Sequence, residues 1–273
     1  MRKNSQTLTT QSIPTLIKQL AIPASTGMFF NTMYNVVDTF YAGLISTQAI
    51  SALTLSFMIF FLIIGFGYGF SSAITALLGN AFGKKKYKLA TIYAHKGLIF
   101  VPLIGVILSL IGYFFAPSLF ILLGAKEDYL NLSLEYINPI LFGSVFFMFN
   151  FSLNSILVAT GDTKTYRNSL IFGFFANLVL NPLLMYGFLF IPAMGLSGIA
   201  IATVLIQIIN MGYLLYKVLQ TKLIHFEKLD YFSPNFRVYK QFLNQGIPSS
   251  LNMLTMGIGS LILTYFVSHY GVN

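Results

Sequence analysis

The chain contains no cysteine, which excludes disulfides and thiolate metal sites and leaves the redox compartment unread. Charge is scarce as well. Only 8% of the 273 residues are charged, about a third of the roughly 25% that a water-exposed domain carries. Most of the surface must therefore face something other than water. The three histidines, His95, His225 and His269, lie at or outside the ends of apolar runs and share no ligand spacing, so they do not suggest a metal site. No nucleophile–base constellation, metal motif or phosphate-binding glycine loop is present, and an enzyme is not expected. A net charge of +9 would suit nucleic acid. The basic residues fall between apolar runs, however, and not on a stripe with interleaved aromatics, so nucleic acid is not an expected partner. Residues 1–11 are polar and the first apolar run is too long for a signal-peptide core, so no cleavable signal is expected.

What the chain does have is apolar length. Hydrophobic residues make up 56%, and seven runs reach the ~20 residues needed to cross a hydrocarbon core of about 30 Å. They fall near residues 16–45, 51–79, 91–116, 130–158, 169–189, 198–219 and 246–268. The pattern predicts an all-α integral membrane protein with the lipid bilayer as its main partner. Placing successive connections on alternate sides sends Arg2, Lys3, Lys18, Lys84, Lys85, Lys86, Lys88, Lys96, Lys164, Arg167, Lys217, Lys222, Lys228, Arg237 and Lys240 to one side and only Lys126 to the other. The positive-inside rule makes the crowded side cytoplasmic, with the N-terminus inside and the protein multi-pass in the plasma (inner) membrane. The Lys84–Lys88 cluster reads as a topogenic loop, with contact to anionic lipid as the alternative.

A faint repeat divides the chain. Ile22-Pro23-Ala24-Ser25 with Met28 and Thr39 recurs 225 residues later as Ile247-Pro248-Ser249-Ser250 with Met253 and Thr264. The offset covers six runs, so the seventh resembles the first helix of a second six-helix half, in the same membrane orientation as parallel repeats require. The expected organisation is a tail at 1–15, a six-helix lobe at 16–219, a polar linker at 220–245, and the start of another lobe at 246–273.

Polar residues inside the apolar runs point to function. Asp38 lies seven residues from the outer end of the first run. An intramembrane carboxylate is costly and by default marks a functional site; the alternatives are an interfacial acid, or one held protonated as a packing hydrogen bond. Asn31, Tyr34, Asn35 and Asp38 share one helix face. Asn177 and Asn181 do so in the fifth run, and Thr203, Gln207 and Asn210 in the sixth. Such stripes must face protein or a wet cavity. For Gln207 and Asn210, helix–helix glue is an equal reading. At ~1.5 Å rise per residue, Asp38, Asn181 and Thr203 fall within roughly 5 Å of one another in depth. Pro182 cannot donate to the carbonyl of Leu178, so it kinks the helix and frees an acceptor one turn below Asn181. Pro23 is a second expected kink. Together Asp38, Asn177, Asn181 and Thr203 present oxygens suited to Na⁺ as the one metal ion considered, or to H⁺ on the carboxyl alone. Burial favours the neutral acid and a cation favours the carboxylate, so the two ions compete.

The run Tyr34-Asn35-Val36-Val37-Asp38-Thr39-Phe40-Tyr41-Ala42-Gly43 resembles the first-helix acid segment of the multidrug and toxic compound extrusion (MATE) family. So do the Gly/Ser-rich 67–83 with its basic loop, Ala159-Thr160-Gly161-Asp162-Thr163, Asn177-Leu178-Val179-Leu180-Asn181-Pro182, residues 195–203, and Gly246-Ile247-Pro248-Ser249-Ser250. The resemblance covers nearly the whole chain. It implies a drug/H⁺ or drug/Na⁺ antiporter that works by alternating access, exports cationic amphipathic drugs and needs no cofactor. In the prokaryotic branch that the chain most resembles, the coupling site is in the N-lobe and carries over to Asp38, Asn177, Asn181 and Thr203, with Tyr34 beside them. Asn181 stands where some members carry a second acid, which favours single-ion coupling. The family has about twelve helices, so the expectation is a truncated chain holding the N-lobe and the first helix of the second lobe, with the missing C-lobe needed for transport. A lipid-linked saccharide flippase of the same superfamily and a non-transporting seven-helix membrane protein are the alternatives. No Lys or Arg is expected mid-membrane to grip a pyrophosphate, which counts against the flippase.

Overall fold

The computed structural model describes residues 12–224 and 233–268, and in it the apolar runs become seven helices. These are α1 (Ile13–Ile45), α2 (Thr47–Gly83), α3 (Tyr87–Leu122), α4 (Glu127–Ala159), α5 (Lys164–Tyr186), α6 (Gly195–Gln220) and α7 (Phe236–Ser268). The expected tail at 1–15 lies mostly outside the described residues, as do His225, Lys228 and His269.

The punctuation between helices is chemical. Ser46 alone separates α1 from α2, and its side chain accepts a 3.0 Å hydrogen bond from the Ala49 amide, capping α2. Asp162, in the Gly-Asp-Thr segment, does the same for α5. Its Oδ1 accepts from the amides of Lys164 and Thr165 at 3.1 and 3.0 Å, while its Oδ2 accepts from the Thr165 hydroxyl at 2.6 Å. A carboxylate there satisfies orphan N–H groups and offsets the positive end of the helix dipole.

Among the described residues, five helices, α2 to α6, are long and apolar enough to cross a membrane by length and composition. α1 is not among them, a departure from the spans read from the sequence. The reason is composition, because Asn31, Asn35 and Asp38 dilute α1. The boundary of α7 is a second correction, because residues 236–245, assigned to the linker, are its first turns. Their pattern is amphipathic. Tyr239 and Phe242 place their rings 5.0 and 5.6 Å from that of Phe100, and the Tyr93 hydroxyl donates to Gln241 Oε1 at 2.7 Å, so this stretch docks on α3. His95 and Lys96 are likewise not at a span end. Both are buried within α3, where His95 Nδ1 lies 2.7 Å from the Thr91 carbonyl and Lys96 donates to the Ser233 carbonyl.

α4 sits at the centre, packed against α2, α3 and α6; α5 packs on α6 and α1; α7 lies along α2. The α2–α7 contact depends on Gly69, where an added Cβ would fall 2.5 Å from the Ser250 amide nitrogen and 2.7 Å from its Cα. Two backbones meet there, as small residues allow in membrane helix pairs.

Candidate functional site

α1, α5 and α6 bring the polar stripes together. Asp38 is buried, 4% exposed, and Asn177, Asn181 and Thr203 are buried beside it. Asp38 Oδ1 accepts from both Asn177 Nδ2 and Asn181 Nδ2 at 2.8 Å. Asn181 Nδ2 also donates to Asn177 Oδ1 at 3.1 Å. On the other carboxyl oxygen, Thr203 Oγ1 donates to Oδ2 at 3.4 Å, and the Tyr34 hydroxyl donates to Thr203 Oγ1 at 3.0 Å. The depth argument from helical rise is thus met by contact. A buried carboxylate needs compensating donors, and two amides and a chain of two hydroxyls supply them.

The two carboxyl oxygens differ. Oδ1 holds two short bonds, whereas Oδ2 has a single long one and is the better place for a proton. One further oxygen stands out: Asn181 Oδ1 is buried with no hydrogen-bond partner. A neutral amide oxygen left bare next to a carboxylate fits a monovalent cation. The fit requires at least one amide to turn its oxygen inward, since Asn177 and Asn181 now present their nitrogens to Asp38.

Other expected residues take different roles. Asn35 Nδ2 donates to the Asn31 carbonyl of its own helix at 3.0 Å, and Asn31 is exposed, so neither reaches the carboxyl cluster. Gln207 pairs across to α4, accepting from Asn150 Nδ2 through its carbonyl at 3.0 Å and its Oε1 at 2.8 Å. Asn210 is buried where α6 meets Gly173 and Tyr34. The carbonyl freed by Pro182 is not open as expected, because the Tyr41 hydroxyl donates to Leu178 O at 3.0 Å. α5 continues through Pro182, and α1 through the buried Pro23.

Tyr41→Phe removes the donor to Leu178 and leaves a carbonyl unsatisfied, at a cost of about 1–2 kcal/mol. It should lower the melting temperature of the solubilised chain by a few degrees, read by intrinsic fluorescence. An unchanged melting curve would mean that water caps this carbonyl equally well.

Asp38 also borders a cavity of about 760 Å³ between α1 and α2, lined in addition by Thr32, Asn35, Phe40, Thr54, Phe57 and Tyr136 among others. Tyr136 and Asn150 are the site residues that sequence reasoning missed. Asn150 and Asn154 stand at i and i+4 on α4, the spacing that identified the other stripes, and that signal was available.

Comparison with known proteins follows the same lines. The MatE family model matches residues 23–183. Among curated relatives, the chain is 30% identical over 232 residues to "Probable multidrug resistance protein YoeA" of Bacillus subtilis (strain 168), covering 84% of this chain and 50% of that protein. It is 27% identical over 216 residues to an "FAD transporter" of Shewanella oneidensis, covering 78% and 48%. A solved structure described as an outward-facing conformation of a multidrug resistance MATE family transporter of the MOP superfamily superposes with a TM-score of 0.81 at 28% identity, covering 91% of this chain and 54% of that one. The chain spans about half the length of the relatives it matches.

Proposed function

This chain belongs to the MATE family, and from that premise we propose that it forms the ion-coupling half of a multidrug exporter driven by H⁺ or Na⁺. Residues 16–219 make the six-helix lobe, residues 220–235 lead out of it, and α7, from Phe236, begins the second lobe. The lobe lies in the plasma membrane with its basic end cytoplasmic. The observation that carries this reading is Asp38, enclosed by Asn177, Asn181 and Thr203 from two other helices.

The coupling step is a change of occupant at one carboxylate. With Asp38 ionised, the two amide nitrogens and Thr203 satisfy it. A proton arriving on Oδ2 removes the charge and turns that bond around, so that the carboxyl donates to Thr203. The hydroxyls of Tyr34 and Thr203 already form a chain ending on Oδ2, which is a route for such a proton. Na⁺ takes the ionised site instead, drawing on the carboxylate, the Thr203 hydroxyl and the free Asn181 oxygen. Either occupant removes the donor demand of the carboxylate and loosens the ties between α1, α5 and α6. Alternating access follows if the lobes use that difference.

The lining of the α1–α2 cavity supports a reading of the substrate class. Its lining residues include one carboxyl, aromatic rings and hydroxyls, with no cationic side chain among them. That favours organic cations, in keeping with the relatives named for multidrug resistance, over phosphate-bearing molecules such as a dinucleotide or a lipid-linked pyrophosphate.

Competition at Asp38 is directly measurable. Adding NaCl to the solubilised, weakly buffered chain should release up to about one proton per chain, because cation binding requires the deprotonated ligand. Asp38→Asn should release none. Equal release from that variant would take the ion site away from Asp38, and no release from the native chain would leave H⁺ as the sole coupling ion.

A further inference from the structure

The interior holds a second polar cluster that the coupling site does not use. Asn150 on α4 is 4% exposed, and its side chain donates through Nδ2 to the carbonyl and Oε1 of Gln207 on α6. Its Oδ1 is buried and has no partner, and the same is true of Asn154 Oδ1 one turn further along α4. Two bare amide oxygens on one face, in an otherwise apolar bundle, require an explanation. Buried acceptors of this kind are normally met by ordered water or an ion. Ser152 Oγ is also unpartnered, but it sits two residues from both, on another side of the helix.

The position of this cluster gives it a direction. Gln207 follows Thr203 by four residues on α6, so it lies ~6 Å nearer the basic end of the bundle than the Asp38 level. Asn154 lies a similar step further again, five residues before Ala159, where α4 ends. Asp38, Thr203, the Asn150–Gln207 pair and Asn154 therefore descend from the acid toward the end that carries Lys84–Lys88, Lys164 and Arg167.

We propose that Asn150, Asn154 and Gln207 form a water-holding way station through which the monovalent coupling ion passes between Asp38 and the basic, cytoplasmic end of the lobe. The inference rests on Asp38 as the loading point, and it adds the side toward which that point releases its ion. Amides suit the role: their oxygens share a partly hydrated cation without the tight grip of a carboxylate, so the ion passes on. Gln207 and Asn150 act here as positioning residues that keep two oxygens turned toward the path.

The absence of native cysteine makes single-cysteine probes clean. Ag⁺, a monovalent cation close to Na⁺ and K⁺ in size, reacts with a thiol that loses its proton as the silver–sulfur bond forms. The chain reconstituted in liposomes is exposed to Ag⁺, then denatured, and the remaining free thiol is counted with a maleimide. Asn150→Cys and Asn154→Cys should react on the order of 50-fold faster than Ile156→Cys, which is buried on the other side of the same helix; the factor reflects the cost of a charge in a dry membrane interior. Correct folding of each variant is checked by its elution volume. Equal rates at the three positions, whether all fast or all slow, overturn the proposal. Repeating the measurement in the Asp38→Asn background separates the two ideas. The station is built by α4 and α6, so its reactivity should persist there even though proton release is lost.

Discussion

Asp38→Asn is expected to reduce ion-driven efflux of an ethidium-like cation to the background of cells lacking the transporter, when this segment works within a full-length MATE protein. The substitution is nearly isosteric, so packing among α1, α5 and α6 is kept. The amide oxygen of the new side chain can still accept from Asn177 and Asn181, which now donate at 2.8 Å. What disappears is the only group in the cluster able to take a proton or offer a full charge to a cation. Among the described residues no group of three or more His, Cys, Asp or Glu side chains comes together. Membrane insertion and thermal stability should be nearly unchanged, which separates loss of coupling from loss of folding. Efflux that survives the substitution would remove Asp38 from the mechanism whatever its surroundings.

Gly198→Val should have the largest effect on the architecture. An added Cβ at Gly198 would stand 2.7 Å from the Leu184 carbonyl oxygen, 2.8 Å from its carbon and 2.9 Å from the Met185 nitrogen. These are backbone atoms of α5, so no side chain can swing aside. Overpacking of this kind costs about 1–3 kcal/mol or more. Relief requires α6 to move away from α5, and Thr203 follows Gly198 by only five residues. The Thr203–Asp38 bond, already 3.4 Å, would be the first casualty. The solubilised variant should melt several degrees lower and lose Na⁺-induced proton release, while Gly198→Ala should show a weaker form of both. A variant with native melting and release would mean that the spacing of α5 and α6 is set elsewhere.

The membrane is what made the core of the site legible. In an apolar run an acid or amide is conspicuous, and a rise of ~1.5 Å per residue converts sequence position into depth. Asp38, Asn181 and Thr203 could therefore be placed at one level before any coordinates. The tyrosines were not legible in the same way. The chain has 16 of them, each part apolar and part polar; spacing put Tyr34 on the Asp38 face, but nothing in spacing distinguishes Tyr41, which donates to α5, from those that face lipid. The glycines pose the same difficulty. Only the packed helices reveal that Gly69 and Gly198 sit where backbones touch.

Errors in the sequence reading share a cause, which is reading polarity as exposure. Residues 236–245 looked like linker because Arg237, Lys240, Gln241 and Gln245 are polar. Yet Tyr239 and Phe242 on the opposite face dock against Phe100. Lys96 was counted with the loops although its charge is buried against a carbonyl. Gln207 was open to two readings, and its bond to Asn150 on α4 fits the helix–helix glue of the pair; a stripe on one helix does not say which neighbour it meets.

Asp38 stands between two tyrosines of its own helix, four residues before it and three after. Tyr34 is pinned to α6 and Tyr41 to α5. This stretch of α1 is therefore pinned on both sides, and the seam with α5 runs on toward Pro23, with Phe30 5.5 Å from Phe174 and Gly27 against Arg167 and Leu170. α1 cannot swing alone without tearing that seam. Any tilt of the helix must carry α5 along, and the carboxylate travels with the pair.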